Sequence, residues 1–264
     1  VPVSAPYSPH RLEPADQRQI HNSYWPGAGA RGISDSWMAA IKSQPDMVIY
    51  STWNDLSEHH YLGPYNYTNW GRSAVDWYLD PTSTFPHTGY LELSTYFARW
   101  YKLPAGSSAP AVAPEDEAVF YFYNLQPVHN PCPGDPRRPT NPNLNTTFVT
   151  DARYPAEDAL YATVLLSRPA NITLTTGLPY HGKHFDIEPT TAAQSTTFGL
   201  GAGLHSVHVA SLPGGQRIEV SRARDDAGTD QHFTRSVVGA EGINTTEMSA
   251  ALCNYQTFSG VLRL

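Results

Sequence analysis

The segment PDMVIYSTWNDLSEHHYLGP, residues 45–64, decides the fold prediction for the first part of the chain. Its residues 46–53 are a short run of apolar and β-branched side chains, which is typical of a buried strand in a parallel sheet. A helix is predicted directly before this strand, from Ser34 to Gln44, because apolar residues recur at helical spacing until Pro45 ends the pattern. Helix followed by buried strand indicates an α/β arrangement.

The same order repeats further along the chain. Residues 90–101 predict a second helix with Leu93, Phe97 and Trp100 on one face, and residues 118–123 (AVFYFY) predict another buried strand. This part of the chain supplies too few strands and helices for a closed α/β barrel, which needs about 250 residues. We therefore expect it to pair with a second chain or to be the back end of a longer protein.

A proline-rich segment separates this α/β part from a region of different composition. Six prolines between positions 127 and 142 exclude a helix or a central strand there, so we predict a linker at 128–147. Beyond it, short strand-like runs with turn residues between them predict an antiparallel β-sandwich at 148–264, with a hairpin turn at Pro213-Gly214-Gly215. The predicted strands are 160–166, 172–175, 195–198, 206–209, 217–220 and 258–264.

The composition excludes several classes of protein. With 17 Lys+Arg against 24 Asp+Glu, the net charge is −7, and the chain lacks the basic surface that nucleic-acid binding requires. No run of about 18 apolar residues occurs, so a transmembrane helix is not expected. The chain begins Val1-Pro2-Val3 without Met, and we expect a processed or trimmed product.

Asn-X-Ser/Thr motifs indicate a secreted glycoprotein. They occur at four sites, in a chain that has only two cysteines: Asn66, Asn145, Asn171 and Asn244. Cys132 and Cys253 suit one disulfide that joins the C-terminal end to the proline-rich segment, although two unrelated buried thiols would give the same count.

The densest cluster of chemically useful side chains follows the strand at 46–53. Asp55 and Glu58 lie where a parallel strand ends, which is where active sites of such sheets occur. Two carboxylates with separated pKa values suffice for glycoside hydrolysis, and nearby aromatic rings offer faces on which sugars stack. An exposed acidic loop beside core aromatics is the alternative. The aromatic residues are Trp53, Tyr61, Tyr65, Tyr67 and Trp70.

Other patterns do not support a second kind of site. His205 and His208 are three residues apart in a predicted strand and so point to opposite faces, which disfavours one shared metal ion. His181 and His184 lack a third ligand nearby, and no Gly-X-Ser-X-Gly motif is present. We expect neither a metal nor a cofactor.

Residues 45–64 resemble the signature of glycoside hydrolase family 71, the fungal α-1,3-glucanases or mutanases. Further segments are similar to the same family: PVSAPYSP (2–9) to its sixth barrel strand, FPHTGYLELSTYFARWYK (85–102) to a helix, and AVFYFYNLQP (118–127) to its last barrel strand. Residues 159–177 resemble the start of its C-terminal sandwich. The resemblance implies that residues 1–127 form the C-terminal portion of a (β/α)8 barrel, with the sandwich as an accessory domain.

The resemblance also implies an inverting endo-glucanase acting on α-1,3-glucan, in which Asp55 and Glu58 are essential. We expect Glu58 to be the acid and Asp55 the base, and the reverse assignment is the alternative. It implies that neighbouring side chains orient these carboxylates or hold glucose hydroxyls. These substrate-binding candidates are Trp53, Asn54, His60, Tyr61, His87 and Tyr90.

The barrel strands that come first in this family have no counterpart among these residues. An N-terminal fragment of the same precursor is therefore an expected partner, together with an α-glucan substrate. The alternative is a secreted, lectin-like carbohydrate-binding protein on the same scaffold that no longer turns its ligand over.

Overall fold

The computed structural model describes residues 2–4, 30–51, 53, 62–63, 87–124, 159–181, 186–187, 191–210, 212, 215–222, 231–237 and 257–264. The first part contains strand β1 (Pro2–Ser4), helix α1 (Ala30–Ser43), strand β2 (Ile49–Ser51) and helix α2 (Thr88–Tyr101). A short 3-10 turn, Pro114–Asp116, precedes strand β3 (Ala118–Asn124). The later strands are β4 (Ala159–Leu166), β5 (Ala170–Leu178), β6 (Tyr180–His181), β7 (Asp186–Ile187), β8 (Gln194–Leu200), β9 (Gly203–Ala210), β10 (Gly215–Arg222), β11 (Gln231–Val237) and β12 (Thr257–Arg263).

Strands β1 and β2 pair in parallel, with α1 between them along the chain, which is consistent with the α/β order predicted for this part. Val3 lies opposite Tyr50 in this pair. A parallel connection requires a crossover of a dozen or more residues, and a helix is its usual content. The (β/α)8 barrel is not confirmed, because parallel pairing in the described part of the chain is limited to these two strands.

Strand β2 is shorter and less buried than the prediction for residues 46–53. Val48 and Tyr50 pack against the core cluster that includes the helices. On the alternate positions, Met47 is 70% exposed and Ile49 is 63% exposed. Side chains alternate between the two faces of a strand, so one face of β2 is buried and the other is open. The expectation of burial on both faces was wrong.

Helices α1 and α2 pack on each other through aromatic side chains. The rings of Trp37 and Phe97 stack with an interplanar angle of 8° and centroids 6.4 Å apart. The indole nitrogen of Trp37 donates a hydrogen bond of 3.1 Å to the hydroxyl of Ser94. Both predicted helices are present, but α1 begins at Ala30, so Ser34 lies inside the helix and does not cap it.

Eight of the later strands, β3–β5 and β8–β12, form a two-sheet antiparallel sandwich, as predicted for the C-terminal region, and β6 and β7 form a separate antiparallel pair. The first sheet has the order β12-β3-β4-β9, and the second has the order β11-β10-β5-β8. Five of the six predicted strand runs fall within strands of these sheets, and the sixth, 258–264, extends one residue beyond β12, whereas β11 was not predicted. The predicted hairpin at Pro213-Gly214-Gly215 is wrong, because β9 and β10, the strands on either side, belong to different sheets.

Strand β3 differs most from its prediction. We expected it to be a parallel barrel strand, but its neighbours β4 and β12 both pair with it antiparallel. Its alternate residues face two separate cores: Phe120 and Phe122 pack with the helices, and Val119 and Tyr121 pack with the second sheet. The first sheet is therefore the middle of three layers. Residues 118–124 belong to the sandwich, while the predicted linker at 128–147 lies outside the described residues.

Candidate functional site

The site predicted from the sequence lies just beyond the end of β2. Trp53 follows the last strand residue, Ser51, by two positions, and its side chain is 60% exposed. The two predicted catalytic residues, Asp55 and Glu58, lie outside the described residues. So do three predicted substrate-binding residues, Asn54, His60 and Tyr61.

Trp53 makes close contact with a residue that sequence reasoning did not single out. The backbone N–H of Gly63 donates a hydrogen bond of 2.8 Å to the carbonyl oxygen of Trp53. A Cβ placed on Gly63 would lie 2.7 Å from Cε2 of the indole ring and 2.7 Å from the Trp53 carbonyl oxygen. Real Cβ atoms do not approach other atoms so closely, so the contact requires glycine. In sequence, Asp55 and Glu58 both lie between these two residues.

Leu62, the residue before Gly63, packs into the core and holds the Trp53–Gly63 contact against the helices. Its side chain is 2% exposed and belongs to the core cluster that contains both helices. Burial of a leucine side chain contributes about 1.5–3 kcal/mol to folding. The buried Leu62 therefore limits the movement of Gly63, and through Gly63 it limits the movement of Trp53.

His87 and Tyr90 lie in a different environment from Trp53. His87 is 1% exposed and Tyr90 is fully buried, where its ring packs against Phe122 with centroids 4.5 Å apart. The His87 ring meets Tyr90 edge to face at 5.5 Å. Direct contact of these two residues with a sugar stays a prediction, and their burial favours a supporting role behind β2.

Tyr50 connects β2 to the buried group on α2. Its hydroxyl donates a hydrogen bond of 3.1 Å to the carbonyl oxygen of Tyr90. Burial raises the pKa of Tyr50 far above its usual value, and a hydrogen bond with Ser94 opposes this only in part. Tyr50 therefore stays protonated and acts as a donor. Sequence reasoning missed this residue, although its place in the strand before Trp53 was a usable signal.

The other predicted site residues are distributed as follows. Asn171, the first residue of its Asn-X-Thr motif, is exposed on β5, and its glycosylation stays a prediction. The three further motif asparagines and the two cysteines lie outside the described residues: Asn66, Asn145, Asn244, Cys132 and Cys253. Within the described ranges, no group of three or more His, Cys, Asp or Glu side chains is placed to hold a metal ion.

The described helices were also compared with the requirements for crossing a membrane. None of them is both long enough and apolar enough to span a lipid bilayer.

A parallel strand that ends in an exposed tryptophan, beside an antiparallel sandwich, is an arrangement compatible with a carbohydrate-active protein. Comparison with known families gives a specific result. The profile of glycosyl hydrolase family 71 matches residues 2–251 of this chain. The chain belongs to that family, as the resemblance in residues 45–64 predicted.

Two curated relatives are consistent with this assignment. A Penicillium rubens protein named mutanase is 26% identical over 217 residues, which cover 80% of this chain and 43% of the relative. A Schizosaccharomyces pombe protein named glucan endo-1,3-alpha-glucosidase is 31% identical over 150 residues, covering 55% of this chain and 30% of the relative. The chain thus matches less than half the length of each relative. No solved structure gave a significant match.

Proposed function

We propose that this chain is part of a secreted glycoside hydrolase that cleaves α-1,3-glucan. The observation that carries the proposal is the exposed indole of Trp53 at the end of a parallel strand, two residues before Asp55 and five before Glu58. The family match over residues 2–251 supports it, as do the names of the two relatives.

The proposed mechanism is an inverting displacement by two carboxyl groups. Glu58 protonates the departing glycosidic oxygen, and Asp55 removes a proton from the attacking water. In this reaction class one carboxyl group has a raised pKa and acts as the acid, while the other stays ionised. Asn54, His60 and Tyr61 are proposed to orient these groups or to bind glucose hydroxyls. The reaction as proposed draws only on carboxyl and water chemistry.

The open face of β2 suggests how such a site is completed. Met47 and Ile49 are exposed on the face opposite the helices, the position that the interior of a closed (β/α)8 barrel would cover. We propose that further strands of the same precursor pair with the edges of the β1–β2 sheet, cover this face with their side chains, and supply the rest of the substrate cleft.

The test compares the full-length gene product with two isosteric variants on insoluble α-1,3-glucan. Wild-type protein should release reducing sugar, and Asp55→Asn and Glu58→Gln should each lower kcat by at least about 1,000-fold, since each removes an essential proton transfer. Glu115→Gln is the matched control, because Glu115 is an exposed carboxylate on the 3-10 turn away from β2. Full activity in either site variant would overturn the proposed roles.

The lectin-like alternative makes a different prediction for the same proteins. A carbohydrate-binding protein without turnover would retain glucan on a pull-down and release no reducing sugar. Asp55→Asn would then leave both the binding and the absent hydrolysis unchanged. If the wild type releases reducing sugar faster than Asp55→Asn does, the protein is an enzyme and the lectin-like alternative is wrong.

A further inference from the structure

The exposed apolar side chains of the described residues are concentrated near β2. Five large apolar side chains are more than about a third exposed, and three of them, Met47, Ile49 and Trp53, occupy alternating positions along this segment. Trp53 differs from the other two because it lies beyond the strand and carries an indole N–H. An exposed indole offers both a flat apolar face and a hydrogen-bond donor.

The indole of Trp53 packs against the backbone of Gly63. Ring atoms Cε2 and Cδ2 would lie 2.7 Å and 3.0 Å from a Cβ at position 63, so the ring passes directly over the space that a side chain would fill. The hydrogen bond from the Gly63 N–H to the Trp53 carbonyl holds the two backbones together at the same point. One part of the ring is thereby fixed, while most of its surface stays exposed.

We infer that Gly63 is a positioning residue that holds Trp53 as a stacking platform for a glucose ring of the glucan. This inference rests on the proposed function and extends it by naming a sugar contact and the residue that orients it. The apolar C–H face of a pyranose ring matches the size and flatness of an indole, and a fixed ring loses little conformational entropy on binding. Gly63 itself does not touch the sugar.

The rigidity of the platform follows from the neighbours of Gly63. Leu62 is buried in the helix-containing core, so the position of Gly63 relative to β2 is set by packing. A side chain at position 63 would have to displace either the indole or the Trp53 carbonyl. Either movement changes the orientation of the ring without altering its chemistry.

The experiment measures binding of a soluble α-1,3-linked gluco-oligosaccharide by calorimetry and tryptophan fluorescence. We expect Trp53→Ala and Gly63→Ala each to weaken binding about tenfold, the loss of a stacking contact worth about 1.4 kcal/mol. Gly201→Ala is the matched control, because a Cβ there meets nothing within 4 Å, and it should bind like the wild type. Trp53→Phe should retain part of the affinity, since a smaller aromatic face remains.

A double variant separates positioning from a general structural effect. If Gly63 acts through Trp53, adding Gly63→Ala to Trp53→Ala should weaken binding by less than about twofold further. Hydrogen exchange of the residue-63 amide should also be faster in Gly63→Ala, because the bond to the Trp53 carbonyl is strained. The inference would be overturned if Gly63→Ala lowered the affinity by the same factor in wild-type and in Trp53→Ala protein. Unchanged affinity in Trp53→Ala would overturn it too.

The proposed hydrolysis is tested independently of the proposed role of Trp53 and Gly63. In Asp55→Asn protein, which should not cleave the oligosaccharide, adding Trp53→Ala or Gly63→Ala should still weaken binding about tenfold relative to Asp55→Asn alone. Wild-type binding without hydrolysis would refute the enzyme and leave the platform intact. Hydrolysis that is unaffected by Trp53→Ala, with unchanged affinity, would refute the platform alone.

Discussion

Glu117 is a buried carboxylate whose interactions join both sheets of the sandwich. It accepts hydrogen bonds from the Ser167 backbone N–H at 2.7 Å and from the Ser167 hydroxyl at 2.8 Å, and Arg222 donates a third at 2.7 Å. Burial alone would raise its pKa, but the hydrogen bonds from Ser167 and Arg222, with the charge of Arg222, outweigh burial and lower the pKa. The charged form is thus the one that the folded protein stabilises.

Acid should weaken the folded state through this residue. Because the pKa of Glu117 is lower in the folded than in the unfolded chain, the unfolded chain binds more protons as the pH falls. The stabilising contribution is complete above the unfolded value of 4.5 and is lost as the pH falls through the folded value. Denaturant unfolding between pH 7 and pH 3 should show this decline in the free energy of unfolding.

The variant Glu117→Gln tests the assignment at constant pH. It leaves Arg222, whose side chain is 3% exposed, without its buried counter-ion and should destabilise the protein by about 3 kcal/mol at pH 7. The exposed pair Arg99–Asp116 is the control, since Asp116→Asn there should cost less than about 1 kcal/mol. Equal acid sensitivity of the wild type and Glu117→Gln would contradict the role given to Glu117.

At the same scale, the sequence was informative about chemistry and less so about exposure. Trp53, selected for its place at the end of a strand, is exposed, and its contact with a sugar stays a prediction. His87 and Tyr90, selected through the family resemblance, are both buried. Tyr90 shares a helix face with Leu93 and Phe97, so its burial follows from helical periodicity, whereas the resemblance carries no information on exposure. Gly63 was missed because its importance lies in a contact with Trp53, ten positions earlier.

At the scale of elements, α2 meets β12 at a contact between two glycines. A Cβ on Gly89 would lie 2.9 Å from the carbonyl oxygen of Gly260, so the start of α2 approaches the strand backbone directly. Gly260 also lies opposite Tyr121 on β3, and a Cβ at position 260 would overlap the tyrosine ring. The close approach of α2 to the strand backbone thus requires a glycine at position 89, while Gly260 leaves room for the Tyr121 ring on the opposite face of the sheet.

Substituting Gly260 should therefore destabilise the protein. We expect Gly260→Ala to lower the free energy of unfolding by about 1–3 kcal/mol, because the Tyr121 ring must move to make room. Chemical denaturation measures this directly. Gly201→Ala, where the new methyl group meets open space, should stay within about 0.5 kcal/mol of the wild type. A Gly260→Ala protein as stable as that control would show that the contact is loosely packed.

Strand β3 shows why a sequence can predict a strand correctly and still give it the wrong neighbours and direction of pairing. Its residues AVFYFY are apolar at every position because both faces of the first sheet are covered. Parallel barrel strands have the same pattern for the same reason, so periodicity alone does not separate the two cases. The short alternating strands of the sandwich were recognised, whereas the partner and direction of β3 depend on β12, far away in sequence.

At the scale of the whole molecule, the first sheet links the two regions that the composition separates. Helix α2 contacts both β3 and β12, while β3 and β4 face the second sheet on their other side. The two regions thus share a continuous apolar core, unlike the more polar contacts between mobile domains. We expect the parallel unit and the sandwich to unfold together.

The distribution of tryptophan makes this expectation measurable. All six Trp lie within residues 1–101, so fluorescence reports on the α/β region, while far-UV circular dichroism reports mainly on the strands of the sandwich. Both signals should give one denaturant midpoint, as a single cooperative transition requires. Glu117→Gln acts among sandwich residues and should shift the two midpoints equally. A lower dichroism midpoint with unchanged fluorescence would mean that the sandwich unfolds independently of the helices.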